Sequence, residues 1–74
     1  MKKQTFTVIL YKEDDMYIAE CSEIGTVDQG ATIEEAINNL KEATKLYLEE
    51  SNFIETTPRL VTTMEVTYRE KAYA

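Results

Sequence analysis

The chain has 74 residues, which is the size of one small domain and leaves no room for a second module. Hydrophobic residues make up 43 % of it, with only two Gly and one Pro, and this composition excludes a disordered or low-complexity chain. Eight Lys and Arg against 14 Asp and Glu give a net charge of −6, which argues against phosphate backbones and anionic lipid. We therefore expect a single domain over residues 1–74 that suits a basic partner and binds neither nucleic acid nor membranes.

The cysteine and histidine content limits the chemistry that the chain can perform. The single Cys21 excludes an intramolecular disulfide and a metal cage made only of cysteines, and it fits a reducing compartment. There is no histidine, and no apolar run is long enough for a signal peptide or a membrane span. We expect a soluble, cytoplasmic protein with no metal and no cofactor.

Two β-strands joined by a tight turn are predicted in the first 21 residues. Strand spacing over residues 3–11 places Phe6, Val8 and Leu10 on one face and Thr5, Thr7, Ile9 and Tyr11 on the other, and a second β-rich run follows at Met16–Cys21. The polar residues between them include Asp14-Asp15, a pair that favours turns. A loop made of these two residues pairs Leu10 with Ala19, and a loop two residues longer preserves the same facing.

A short third strand at residues 26–29, ending at Gly30, is predicted to precede a helix over Ile33–Glu50. The helix start carries a capping box, in which the Thr32 hydroxyl accepts from the Glu35 amide and the Glu35 side chain reaches back to the Thr32 amide. Helical spacing predicts one buried stripe. Its members are Ile33, Ala36, Ile37, Leu40, Thr44 and Tyr47, flanked by Ala43 and Leu48.

A fourth strand is predicted near the end of the chain. Residues 51–59 form a return connection in which Phe53 and Ile54 are expected to pack against the end of the core. Residues 60–69 alternate again, and a right-handed crossover sets them parallel to the first strand. The predicted fold is α+β with the order β-β-β-α-β, a four-stranded, mostly antiparallel sheet with one helix on one face.

One helix covers only one face of such a sheet, so the other face is predicted to carry an uncovered apolar patch. The patch consists of Ile9, Tyr11, Met16 and Ile18. We expect a second copy of the chain to cover it, giving a dimer or a tetramer.

The run Gly30-Ala31-Thr32-Ile33-Glu34-Glu35-Ala36, followed by residues 39–43 and Tyr47, resembles the HicB-like antitoxin family over about residues 4 to 69. The resemblance implies a partial RNase H-like fold without enzymatic activity, which neutralises a small basic HicA-type RNase toxin by direct binding. It implies a stand-alone domain, because this chain stops where the family's C-terminal DNA-binding segment begins. The acidic helix face, made of Glu34, Glu42, Glu49 and Glu50, is either a solvated surface or, if the resemblance holds, the surface that faces the toxin.

Two alternative functions stay open beside this one. The chain is an orphan oligomeric regulatory domain without a toxin, or it is a metal-dependent RNase H-like nuclease that uses Asp14, Asp15, Glu20, Asp28 or Glu35. The nuclease is disfavoured, because the spacing of these acids does not bring several of them together around two metal ions. Cys21 has no histidine to activate it and is predicted to lie beneath the helix, so it is expected to be inert.

Overall fold

The structure is a computed structural model that describes residues 2–51, 55 and 57–71. Its elements follow the order β1 (Val8–Glu13), β2 (Met16–Cys21), β3 (Val27–Gly30) and α1 (Ile33–Glu50). The three strands form one antiparallel sheet in the order β1-β2-β3, and α1 packs against β2 and β3. The predicted α+β class and the β-β-β-α order are therefore confirmed.

The β1-β2 hairpin has the predicted register. Leu10 pairs with Ala19 and Glu13 pairs with Met16, so the loop is Asp14-Asp15. Asp14 has a φ of 54°, a left-handed conformation that Asp adopts more readily than most residues. β1 begins at Val8, later than the predicted residue 3, because β2 ends at Cys21 and leaves the earlier residues without a strand opposite them.

The helix α1 has the predicted bounds and a slightly different cap. The Thr32 hydroxyl accepts from the Glu35 amide at 3.1 Å, as predicted. The Glu35 carboxylate accepts from the Ala31 amide at 3.3 Å, one residue before the Thr32 amide that a standard capping box uses. In the described part of the chain, no helix is both long enough and apolar enough to cross a membrane.

The core lies between β2 and α1 and is built around small side chains. Ala19, Cys21, Ala36 and Leu40 are buried together, so the helix backbone approaches the sheet closely. Phe6, Tyr17 and Ile24 pack around this cluster.

The buried stripe of α1 is shorter than predicted. Ala36, Leu40 and Thr44 are buried, whereas Ile33 and Tyr47 are 47 % and 44 % exposed, so the prediction was wrong for these two. The helix is about 27 Å long, but three strands span only about 10 Å across the sheet and six residues about 20 Å along it. The sheet is therefore too small to cover both ends of the helix.

The predicted fourth strand is not observed. Residues 57–71 are exposed and have no regular secondary structure, and Phe53 and Ile54, expected to pack on the core, lie outside the described residues. The alternating pattern makes a segment suited to a strand, but a strand forms only when its backbone pairs with a neighbour. We call residues 60–71 the C-terminal arm.

The arm makes the chain much longer than a compact domain of its size. The radius of gyration is 16.5 Å and the longest dimension is 59 Å. A compact chain of this length has a radius of gyration of about 11 Å.

Candidate interaction sites

A groove of about 980 Å³ lies between the N-terminal segment and the second half of α1. Phe6 and Val8 line it on one side, Leu40 and Leu48 line it on the other, and Cys21 contributes between them. Its remaining lining includes four of the eight basic residues of the chain, which are Lys2, Lys3, Lys41 and Lys45. An apolar groove with a basic rim suits an extended, apolar segment that carries little positive charge.

A network of hydrogen bonds, which we call the clasp, joins Thr7, Ser22, Glu23 and Arg59. The Arg59 amide donates to the Thr7 hydroxyl at 2.8 Å and to the Glu23 carboxylate at 2.9 Å, while the Thr7 hydroxyl donates to the Arg59 carbonyl at 2.8 Å. The Arg59 guanidinium donates to the Ser22 carbonyl at 2.8 Å and to the Ser22 hydroxyl at 2.9 Å. The clasp thus ties the base of the arm to the end of the sheet where β1 begins.

The Glu23 carboxylate holds the clasp together. It accepts the Thr7 amide at 2.8 Å through one oxygen and the Arg59 amide through the other. Desolvation raises the pKa of Glu23, but the hydrogen bonds from Thr7 and Arg59 together outweigh it and lower the pKa from 4.5 to about 2. The folded chain therefore prefers the ionised carboxylate.

We expect the clasp to make stability depend on pH through Glu23. A folded pKa near 2 and an unfolded pKa near 4.5 mean that the stabilisation is fully present above pH 4.5 and is lost as the pH falls towards 2. Glu23→Gln should lower the free energy of unfolding by about 1 kcal/mol at pH 7, after allowance for screening by solvent, and by progressively less below pH 4.5. Urea denaturation between pH 7 and pH 2.5 measures this difference.

Ser22→Ala is the matched control, because it removes a hydroxyl from the clasp without removing a titratable group. Its effect on the free energy of unfolding should not vary with pH between 7 and 2.5. If Glu23→Gln also costs the same at both ends of this range, the ionised carboxylate does not stabilise the clasp.

The outer face of the sheet, opposite α1, is only partly accessible. Ile9 and Tyr11 on β1 are 38 % and 46 % exposed, and Met16 is half-buried. Ile18 was predicted to be uncovered but is only 8 % exposed, because it lies on the central strand with Tyr11 and Gln29 paired on either side. The accessible part of the predicted patch is therefore Ile9 and Tyr11, with Met16 at its border.

The acidic helix face is fully accessible. Its four predicted members, Glu34, Glu42, Glu49 and Glu50, are all exposed. Glu42 and Glu49 are seven residues apart and lie on one line of the helix, opposite the buried stripe. Glu34 and Glu50 lie to either side of that line. The arrangement presents four carboxylates on the exposed sides of α1, with Lys45 lying between Glu42 and Glu49.

The acidic residues that the sequence offered as metal ligands are spread over the hairpin turn, two strands and the start of the helix. Asp14 and Asp15 form the hairpin turn, Glu35 caps the helix, and Glu20 and Asp28 lie on different strands. Among the residues that the structure describes, no three Cys, Asp or Glu side chains are grouped as a metal site requires.

Cys21 lies beneath the helix, as the sequence predicts. It is a free thiol with 1 % of its surface exposed, and it packs with Ala36 and Leu40 in the core. Its position identifies it as a packing residue.

Three surfaces qualify as interaction sites, namely the groove, the outer sheet face and the acidic helix face. The sequence predicted the outer sheet face and the acidic helix face. It did not predict the groove or the clasp, whose residues are far apart along the chain and meet only after folding.

Comparisons with protein-family models, curated proteins and solved structures found no match to this chain.

Proposed function

We propose that this chain is a non-enzymatic protein-binding domain of the HicB antitoxin type, which neutralises a small basic HicA-type RNase by binding it directly. The proposal rests on the exposed acidic helix face, together with the resemblance of the residues from Gly30 to Ala36 and the order of the three strands and the helix. A partial RNase H-like sheet with a fourth strand beside β1 belongs to the same proposal.

Charge complementarity is the physical basis of this binding. The chain carries a net charge of −6, and Glu42 and Glu49 concentrate negative charge on a rigid helix. Such a surface speeds the encounter with a basic partner and orients it, while the close contacts determine how long the complex lasts. The proposed setting is the cytoplasm, where a free thiol such as Cys21 stays reduced.

Co-expression with a small basic RNase encoded beside this chain's gene tests the proposal. We expect a complex that co-purifies and cells that resume growth. A double charge reversal, Glu42→Lys with Glu49→Lys, should raise the dissociation rate about tenfold or more, because it places like charges at the contact.

The matched control reverses two acidic residues at the hairpin, Glu13→Lys with Asp15→Lys, and changes the net charge by the same amount. It should slow association through the weaker overall field and leave the dissociation rate unchanged. Equal dissociation rates for the two double variants would move the contact away from α1. If no complex forms and growth is not restored, the antitoxin proposal is wrong.

A second candidate function is that of an oligomeric regulatory domain with no toxin partner. The accessible Ile9 and Tyr11 on the outer sheet face favour it, because apolar groups on a sheet face gain by pairing with a second copy. This candidate predicts self-association together with failure to bind any basic RNase. The co-expression experiment therefore separates it from the antitoxin.

A further inference from the structure

The outer edge of β1 is open to a further strand. In the sheet order β1-β2-β3, β1 pairs on one side with β2, and the described residues place no strand on its other side. An open edge presents backbone amide and carbonyl groups that can pair with an added strand. The groove lies beside the start of β1, with Phe6 and Val8 in its lining.

The sequence pattern of the C-terminal arm is typical of a β-strand. Strand spacing over residues 60–69 places Leu60, Thr62, Met64, Val66 and Tyr68 on one face, opposite Val61, Thr63, Glu65, Thr67 and Arg69. Leu60 is 99 % exposed and Met64 is 86 % exposed, and none of the hydrogen bonds found among the described residues involves residues 60–71. Apolar side chains at this spacing are those of a strand that has one face buried.

The clasp holds Arg59, the residue from which the arm starts. Both backbone polar groups of Arg59 are held, its amide by Thr7 and Glu23 and its carbonyl by Thr7. The next residue, Leu60, then leaves the domain almost fully exposed. Residues 60–71 pair with none of the described strands of their own chain, although Arg59 is held beside Thr7, the residue before β1. A second copy of the chain can supply the strand edge that the exposed arm lacks.

We propose that the arm of one copy adds as a fourth strand to the open edge of β1 in a second copy, and that the second arm does the same in return. The side chains of Leu60, Met64 and Val66 would face the groove of the partner copy. Ten extended residues reach about 33 Å, whereas the six residues of β1 span about 20 Å, so the arm is long enough to leave its own body and cover the edge. Two-fold exchange closes the assembly as a dimer.

The arm avoids the charge repulsion that two acidic copies of the chain would otherwise experience. Residues 60–71 contain two acidic and two basic residues, so the arm carries no net charge while the rest of the chain carries all of the −6. The groove that would receive the arm is rimmed by four lysines. The contact thus joins a segment with no net charge to a groove whose lining carries four lysines and Glu49.

Sedimentation of the full chain and of two arm variants tests the exchange. Met64→Asp places a charge on the face that enters the groove, and Thr63→Asp places the same charge on the opposite face. Since Met64 is 86 % exposed and Thr63 is also exposed, neither variant should disturb the fold of the domain. We expect the unchanged chain and Thr63→Asp to sediment as dimers of the 8.5 kDa chain and Met64→Asp as a monomer.

Hydrogen exchange of the arm amides, measured above and below the concentration at which the dimer dissociates, completes the test. Exchange slowed at least tenfold in the dimer and fast in the monomer supports the proposal. A monomer with slow arm exchange would mean that the arm folds onto its own chain, and a dimer that Met64→Asp leaves intact would assign self-association to another surface. Either of these results, or a monomer with a fast-exchanging arm at all concentrations, overturns the exchange without bearing on toxin binding.

Discussion

Replacing Gly30 with alanine is expected to destabilise the domain by about 3 kcal/mol, which is a large part of the roughly 4 to 11 kcal/mol available to a chain of this size. A Cβ atom at this position would lie 2.5 Å from the amide nitrogen of Ala36 and 2.9 Å from the carbonyl carbon of Glu35. Both are backbone atoms of the first turn of α1 and cannot rotate away. The helix would have to move off the sheet, and urea denaturation measures the cost.

Gln29→Ala is the matched control for this substitution. Gln29 is the neighbouring residue on β3, its side chain is exposed, and its carbonyl accepts from the Asn39 side chain at 2.8 Å, a bond that alanine retains. We expect a loss of no more than about 0.5 kcal/mol. If Gln29→Ala and Gly30→Ala lower the free energy of unfolding equally, the close approach of α1 to β3 is not the reason that position 30 requires glycine.

Leu40→Ala should cost about 3 kcal/mol of the free energy of unfolding. Leu40 is 3 % exposed and packs with Ala19, Cys21 and Ala36, so it is the largest side chain of the buried cluster. Its truncation removes apolar surface from the interior and leaves a cavity, because the flanking alanines are too small to fill the space. Calorimetry or urea denaturation measures the change.

Leu46→Ala makes the same chemical change on the same helix and serves as the control. Leu46 is 57 % exposed, and its truncation should alter stability by less than about 0.5 kcal/mol. If the two leucines cost the same when truncated, the core is not centred beneath α1 and the packing described here is wrong.

Much of the local structure could be predicted because it depends on short-range physics. The Asp14-Asp15 turn determines the register of the hairpin, and Thr32 and Glu35 determine where the helix begins. The bounds Met16–Cys21 and Ile33–Glu50 are the predicted ones. Even here one detail differed, since Glu35 reaches the Ala31 amide rather than the Thr32 amide, a choice between two donors only one residue apart.

The candidate sites were predicted less completely, because exposure depends on neighbours that are distant in sequence. The acidic face on α1 could be predicted, since helical spacing alone determines which side of a helix Glu42 and Glu49 occupy. Ile18 was misjudged, because its burial results from its place on the central strand. No local pattern marks the clasp, in which Arg59 and Glu23 are 36 residues apart along the chain.

The amino-acid sequence by itself determined the element types, the hairpin register and the charge of the surface, because these follow from alternation, capping and composition. Only the tertiary structure decided that residues 60–69 do not pair within their own sheet. A strand pattern specifies which side chains share a face, but it does not specify the partner strand. That partner depends on contacts between distant parts of the chain, and here residues 60–71 stay exposed and unpaired among the described strands.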